Sequence, residues 1–180
     1  YPTDKARNTN SSTRPIGIGV QGWHTLLFMM ELDFDSPDAM ELNKKIFAHI
    51  YYSAWVASAQ LARTRGSYDM FDGSPLSKGV LHADTYNTML HPDYDWNKLR
   101  TLVRGGVRHS LITAIMPTAS TSQICGNTEA CEPLASNIYV RKTKAGEYVI
   151  LNKFMVRDLQ KMGLWCSETK SQIIRENGSV

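Results

Sequence analysis

Small hydroxyl residues follow an apolar run in the C-terminal half of the chain. The run covers residues 111–116 and continues into Pro117-Thr118-Ala119-Ser120-Thr121, after which residues 122–124 can be helical. A strand that leads through small residues into a helix leaves the N–H groups of the first helical turn unpaired. The helix dipole adds about half a positive charge at the same place. The pattern predicts a phosphate or diphosphate site, with the hydroxyls of Thr118, Ser120 and Thr121 as further donors.

The same residues have a simpler interpretation. Serine and threonine are favoured residues at helix N-caps, where the side chain accepts a hydrogen bond from the backbone. Local chemistry by itself favours such a cap without a ligand over the anion site.

A glycine pattern near the N-terminus resembles a dinucleotide-binding fingerprint. Gly17-Ile18-Gly19-Val20-Gln21-Gly22 has the G-x-G-x-x-G spacing. That fingerprint must follow a buried strand, whereas polar residues 10–15 precede it here, and Asp33 and Asp35 are too close to be the acid that binds ribose. The glycines are therefore predicted to serve tight packing.

Cysteine, histidine and glutamate residues offer further candidates for chemistry. The three cysteines have no C-x-x-C pair and no close histidine pair beside them, so no metal site is predicted and the thiols are expected to be buried and inert. An odd number of cysteines favours a reducing compartment, and we expect the cytoplasm. His24 is predicted to be a packing residue. The residues considered are Cys125, Cys131 and Cys166, with His82, His91 and His109 as zinc ligands, and Glu129 and Glu132 as acid–base groups. The two glutamates are expected instead to face solvent or to be structural.

The N-terminal half is predicted to be mainly helical. The polar residues 1–14 are typical of a loop or a frayed end, and residues 16–20 of a short buried strand. Residues 23–32 suit a buried helix. Ser36-Pro37 is a helix start, and the apolar stripe that follows ends at Gly66. The stripe consists of Leu42, Ile46, Ile50, Ala54, Ala57 and Leu61.

The C-terminal half is predicted to mix helices and strands. A loop at 67–80 leads to a helix at 96–104 and to the apolar strand 111–116. Residues 138–141 and 148–151 flank a turn and predict a β-hairpin. Asn152 should cap a helix over 153–162, and a last helix is expected at 167–176. Strands separated by helices indicate an α/β architecture.

Composition limits the classes of protein. The chain has 180 residues, a net charge of +3 and 42% hydrophobic residues, which fits one globular domain or part of a larger one. The charge is too small to indicate nucleic acid as a partner, and no apolar run is long enough to span a membrane. Because the chain lacks a starting Met, we expect it to belong to a longer polypeptide.

Several motifs in one order resemble the large, catalytic subunit of class I ribonucleotide reductase. They extend over nearly everything from residue 14 onward. The main ones are Arg14-Pro15-Ile16-Gly17-Ile18-Gly19-Val20-Gln21-Gly22, Gly73-Ser74-Pro75-Leu76-Ser77-Lys78-Gly79, Met116-Pro117-Thr118-Ala119-Ser120-Thr121-Ser122-Gln123-Ile124, Gly126-Asn127-Thr128-Glu129, Glu132-Pro133 followed by Ser136-Asn137-Ile138-Tyr139, and Gly163-Leu164-Trp165.

The resemblance implies a fold and a site. The family fold is a ten-stranded α/β barrel, and residues 14–180 are similar to the C-terminal part of that barrel, preceded by a flexible segment at 1–13. In the family, the segment that matches Pro117, Thr118, Ala119, Ser120 and Thr121 binds the substrate diphosphate. The resemblance thus favours the anion site over a helix N-cap without a ligand.

The resemblance also implies what lies outside this segment. The family reduces ribonucleoside diphosphates with a thiyl radical on an Asn-x-Cys-x-Glu segment, which does not occur here, so no catalytic residue is assigned and the 180-residue chain is expected to be inactive by itself. The full enzyme needs a metal-containing small subunit that generates the radical, a large-subunit homodimer, thioredoxin or glutaredoxin, and ATP or deoxynucleotide effectors. A non-catalytic nucleotide-binding or assembly module is the alternative. A glycyl-radical enzyme is disfavoured because no glycyl loop is visible.

Overall fold

The computed structural model describes residues 1–86 and 89–179, and these form two compact units. The first unit comprises Tyr1–Val20 and Asp35–Pro117, and the second Gln21–Phe34 and Thr118–Val180. The first contains α1 (Asp4–Thr13), α3 (Pro37–Arg65) and α4 (Trp96–Arg104), with 3-10 turns at Leu76–Lys78 and His82–Tyr86. The second contains α2 (Trp23–Met30), α5 (Thr121–Cys125), β1 (Ile138–Thr143), β2 (Gly146–Leu151), α6 (Lys153–Lys161) and α7 (Ser167–Arg175).

Helix α3 begins and ends at the predicted residues. The Ser36 side chain accepts a hydrogen bond from the Ala39 amide at 3.2 Å, Pro37 is the first helical residue, and Gly66 follows the last one. The predicted stripe is wrong at Ala57 and Leu61, which are exposed, whereas Ala54 is buried as predicted. The buried side of α3 after Ala54 is centred on Trp55, whose large ring gains more from burial than an alanine would.

The core of the first unit lies where α3 meets α4 and the loops around them. Helix α4 has the predicted bounds and buries Trp96, Leu99 and Val103. The residues of α3 that face the core are Ala54, Trp55 and Ala59, and the loops add Tyr68, Phe71, Leu76, Leu81, Val107 and Ile112. Aliphatic and aromatic side chains from four segments therefore close one apolar cluster.

The two predicted strands of the first unit are extended but are not regular buried strands. Residues 16–18 pair with 111–114 through one parallel bridge between Ile18 and Thr113, and the Ile18 amide donates to the Ile112 carbonyl at 2.9 Å. Ile16, Ile18, Leu111 and Ile115 remain exposed. The prediction of a buried strand at 16–20 is wrong for the chain by itself, because no flanking strand within the described residues completes a sheet.

The N-terminal segment is a helix, not the predicted loop. Helix α1 starts where the Thr3 hydroxyl accepts a hydrogen bond from the Ala6 amide at 3.2 Å, and it ends at Arg14 with φ of 45°. It buries no residue, so its capping and side-chain hydrogen bonds to its own carbonyls favour it. Sequence reasoning missed it because polar composition masked the cap. Flexibility of residues 1–13 stays a prediction.

The second unit has the predicted hairpin and helices. Strands β1 and β2 are antiparallel, with Ile138 opposite Leu151 and Thr143 opposite Gly146. Asn152 caps α6 by accepting hydrogen bonds from the amides of Phe154 and Met155 at 3.0 and 3.4 Å. None of the described helices is long and apolar enough to cross a membrane.

Candidate anion-binding site

Residues 118–121 form a turn that leads into α5, and we call them the anion turn. Thr118 is half-buried, whereas Ala119, Ser120 and Thr121 are exposed. All four lie in the second unit, and Pro117, also exposed, is the last residue of the first unit. The backbone of the turn is therefore open to a ligand from solvent.

The backbone donors of the anion turn are unused. Within residues 1–86 and 89–179, the amides of Ala119, Ser120 and Thr121 donate to no acceptor. Ser120 occupies the N-cap position of α5, yet its side chain makes no capping hydrogen bond. Ser120 therefore does not form the side-chain N-cap that was the alternative to an anion site. The unpaired backbone N–H groups that could bind an anion are present.

The hydroxyl groups of the turn have different surroundings. The Thr118 Oγ1 atom accepts a hydrogen bond from the Ala130 amide at 2.8 Å, and the Thr121 hydroxyl donates to Gln21 Oε1 at 2.9 Å. The Ser120 hydroxyl has no partner in the part of the chain that the structure describes. Of the three predicted hydroxyl donors, Ser120 is therefore the one whose hydroxyl is not engaged by another group among the described residues.

A guanidinium group lies beside the anion turn. Arg141 on β1 donates to the Ala119 carbonyl at 2.9 Å and approaches Glu129 Oε1 at 3.4 Å. The side chain of Arg141 is 27% exposed. Sequence reasoning missed this residue, because only the hairpin brings a position so distant in sequence to the turn. Its charge favours an anion here, partly balanced by Glu129.

The segment 126–134, which we call the support segment, connects the anion turn with α2. The amide of Gly22 donates to the Thr128 carbonyl at 2.9 Å, and the amide of Trp23 donates to the Ala130 carbonyl at 3.3 Å. The Thr128 amide donates to Thr25 Oγ1 at 2.9 Å. The first turn of α2 therefore holds the segment whose Ala130 amide contacts Thr118.

His24 belongs to the same support. Its Nδ1 atom accepts a hydrogen bond from the Leu134 amide at 2.7 Å. Its ring stacks on Phe28 with the centroids 4.1 Å apart and meets Phe34 edge-on at 5.1 Å. Burial lowers the pKa of His24, which favours the neutral ring. The prediction that His24 is a packing residue is confirmed, but its hydrogen bond was not foreseen.

The glycines of the fingerprint pattern have the predicted packing role. A Cβ atom at Gly19 would lie 2.5 Å from the Ala114 carbonyl oxygen, and one at Gly17 would lie 3.0 Å from the Ala114 Cβ. Such distances leave no room for a side chain in the first unit, where the two extended segments meet.

The remaining candidates do not converge on a site. The expectation of buried thiols is wrong for Cys125 and Cys166, which are exposed, while Cys131 is half-buried and burial raises the pKa of its thiol. The side chains of Cys125 and Cys166 lie at the end of α5 and the start of α7, where few residues cover them. No group of three or more metal-ligating side chains occurs among the described residues. His109 instead bonds Ser58 Oγ at 3.0 Å.

Comparison with known proteins defines the class of this fold. The profile of the ribonucleotide reductase barrel domain family matches residues 1–180, and the chain belongs to that family. Its mixture of helices and extended segments is part of an α/β barrel. The alpha subunit of the class Id ribonucleotide reductase of Actinobacillus ureae is similar in structure, with a TM-score of 0.70 and 28% identity, over 98% of this chain and 26% of that one.

Individual relatives agree with this class. The chain is 49% identical over 181 residues to the ribonucleoside-diphosphate reductase large subunit of Arabidopsis thaliana. It is 48% identical over 184 residues to the large subunit of Acanthamoeba polyphaga mimivirus. Each match covers 100% of this chain but only 22% and 21% of the relatives. The chain thus spans about a fifth of the length of these proteins.

Proposed function

We propose that this chain is a segment of the large subunit of a ribonucleoside-diphosphate reductase and that it binds the diphosphate of the substrate. The observation that carries the proposal is the set of unused amides at Ala119, Ser120 and Thr121 in an exposed turn. Three N–H donors on consecutive residues suit the oxygens of a phosphate. The position of Arg141 beside Ala119 supports the same ligand.

The complete polypeptide converts ribonucleoside diphosphates to 2′-deoxyribonucleoside diphosphates. In this proposal its thiyl radical forms on another segment, with a metal-containing small subunit as radical source and a thioredoxin or glutaredoxin as reductant. The large subunit forms a homodimer in the cytoplasm and binds ATP or deoxynucleotide effectors. This chain supplies the phosphate contacts and part of the barrel wall, not the reacting groups.

The chemical step defines the task of the anion turn. Removal of the 2′-hydroxyl requires that the ribose be fixed close to the reacting sulfur atom, which belongs to another segment. A bound diphosphate fixes one end of the nucleotide. The amides of residues 119–121 bind charge that is the same before and after the reaction. We therefore expect changes in the turn to weaken binding of substrate and product alike.

A charge placed in the turn tests the proposal. In the full-length large subunit, Ser120→Asp should weaken binding of cytidine diphosphate at least about tenfold, because a carboxylate would repel the phosphates. Ser120→Ala should weaken it by less, since it removes one hydroxyl and keeps all amides. Equilibrium binding measures both.

A matched control is Ser53→Asp, which makes the same change at an exposed position of α3. It should leave the affinity unchanged. Equal affinity of the wild type and Ser120→Asp would refute the proposal. Binding of the nucleotide by the isolated 180-residue chain would favour the alternative, a self-sufficient nucleotide-binding module.

A further inference from the structure

The hydrogen bond of His24 specifies the protonation state of its ring. The Leu134 amide is a donor, and it lies 2.7 Å from Nδ1. A ring nitrogen can accept only if it carries no proton, so the imidazole must be neutral with its proton on Nε2. An imidazolium has two donors and no acceptor. The contact therefore exists in one charge state of His24 only.

The surroundings of His24 hold the ring in place. Phe28 stacks on one face at an interplanar angle of 24°, and Phe34 contacts it edge-on. Burial lowers the pKa of His24 and favours the neutral form. The ionisable groups that line the same cavity as His24 are Glu31 and Asp33, which follow α2, and Asp158 and Lys161 on α6. Arg157 precedes Asp158 on α6, and the support segment carries Glu129, Cys131 and Glu132.

Several of these charges form ion pairs. Asp158 contacts Arg157 at 2.8 Å and Lys161 at 3.6 Å, and Glu129 contacts Arg141 at 3.4 Å. No ion pair to His24 itself is formed among the described residues, so its neutral state depends mainly on burial and on the Leu134 amide.

The support segment transmits this contact to the anion turn. His24 fixes the segment at Leu134, and the next residue toward the start of α2, Trp23, fixes it at Ala130 through a hydrogen bond of 3.3 Å. The Ala130 amide in turn donates to Thr118 Oγ1 at 2.8 Å. Thr118 is the first residue of the anion turn, so a shift of the support segment would displace the turn.

We propose that His24 is a positioning residue for the anion turn: its neutral imidazole anchors the support segment and so keeps residues 118–121 in the geometry that binds diphosphate. The inference rests on the proposed function of that turn. Protonation of Nδ1 removes the acceptor and releases Leu134. Affinity for the diphosphate then falls as the pH falls through the pKa of His24, in addition to any change in the charge of the ligand.

Substitutions with and without an acceptor test this role. In the full-length large subunit, His24→Leu should weaken binding of cytidine diphosphate by about threefold to tenfold at neutral pH, the value of one lost hydrogen bond. His24→Asn offers an amide oxygen that can accept from Leu134 and does not titrate. It should bind as the wild type does at neutral pH.

The pH profile separates positioning from general packing. Between about pH 5 and about pH 8, the wild type should lose more affinity on acidification than His24→Asn does. Identical profiles for the wild type and His24→Asn would overturn the proposal. So would a neutral-pH affinity of His24→Leu equal to that of the wild type.

Hydrogen exchange of residues 126–134 provides a measurement that does not depend on ligand. In His24→Leu these residues should exchange faster than in the wild type, while α7 keeps its protection. Equal exchange in the wild type, His24→Leu and His24→Asn would contradict the role of His24. Loss of protection in α7 as well would mean general unfolding and would also count against positioning. If Ser120→Asp leaves binding intact while His24→Leu alters exchange, the proposed ligand site fails and the structural link stands.

Discussion

Single hydrogen bonds decide what the residues of this chain can do. The amides of Ala119, Ser120 and Thr121 are available because they donate to no acceptor within residues 1–86 and 89–179. The Thr118 hydroxyl accepts from Ala130 at 2.8 Å, so it serves as support for the turn as well as a candidate ligand. Residues of the same type thus differ in their hydrogen bonds, according to partners that are distant in sequence.

The carboxyl of Asp84 gives a pH-dependent prediction at the residue scale. Burial acts to raise its pKa, but hydrogen bonds from Arg100 and from the Leu81 amide outweigh burial and leave the pKa below its ordinary value of 3.8. The unfolded carboxyl therefore binds protons more readily than the folded one. The stabilisation is complete above the ordinary pKa and is lost as the pH falls through the folded value.

Asp84→Asn in the full-length subunit should consequently lose protection from hydrogen exchange around residues 81–86 at neutral pH. On acidification below about pH 4 it should lose less additional protection than the wild type does. Asp69→Asn, at an exposed position, is the control and should follow the wild type. If Asp84→Asn lost as much protection on acidification as the wild type does, the role of the Asp84–Arg100 pair would be disproved.

At the scale of elements, caps and turns join neighbouring segments. Asn152 is buried and ends β2 before α6 begins. Its Oδ1 atom accepts from the Phe154 and Met155 amides, and its side-chain amide donates to Asn137 Oδ1 at 2.8 Å. One side chain therefore caps α6 and binds the residue before β1. This places the hairpin, and with it Arg141, relative to α6.

Asn152→Ala should destabilise the start of α6 by about 1–2 kcal/mol, because the amides of Phe154 and Met155 lose their acceptor. Asn152→Ser keeps a capping oxygen and should lose less. Exchange rates of residues 153–156 in the full-length subunit measure the difference. If the alanine and serine variants exchange at the same rate, the cap does not stabilise this helix.

For the molecule as a whole, the exposed apolar residues of the extended segments are the main feature. Leu111 and Ile115 are exposed by more than half, at 57% and 56%, and Ile16 and Ile18 by 41% and 39%. Apolar strands of an α/β barrel are normally covered on both faces. The chain spans 22% of the length of its Arabidopsis thaliana relative, and we expect strands from the rest of a full-length subunit to cover these residues.

The isolated 180-residue chain is accordingly expected to be inactive. When mixed with the small subunit, a reductant and cytidine diphosphate, it should form no deoxynucleotide, whereas the full-length large subunit should. Residues 111–116 should also exchange faster in the isolated chain, because flanking strands protect them only in the full-length protein. Turnover by the isolated chain would contradict this prediction.

The sequence by itself determined the elements whose signals are local. Ser36-Pro37 and Gly66 delimit α3, Asn152 caps α6, and residues 138–151 form the hairpin, because caps and turns depend on adjacent residues. The family was also evident from the order of its motifs, whereas the anion site at 118–121 stays a prediction.

Only the tertiary structure decided which partners these elements meet. The exposed state of Ile16, Ile18, Leu111 and Ile115 depends on strands that no local pattern describes. The buried face of α3 likewise depends on which segments cover it. Arg141 reaches Ala119 through the hairpin, and His24 reaches Leu134 across 110 positions of sequence. Periodicity and capping act over a few residues, whereas burial and long-range hydrogen bonds are set by how the whole chain packs.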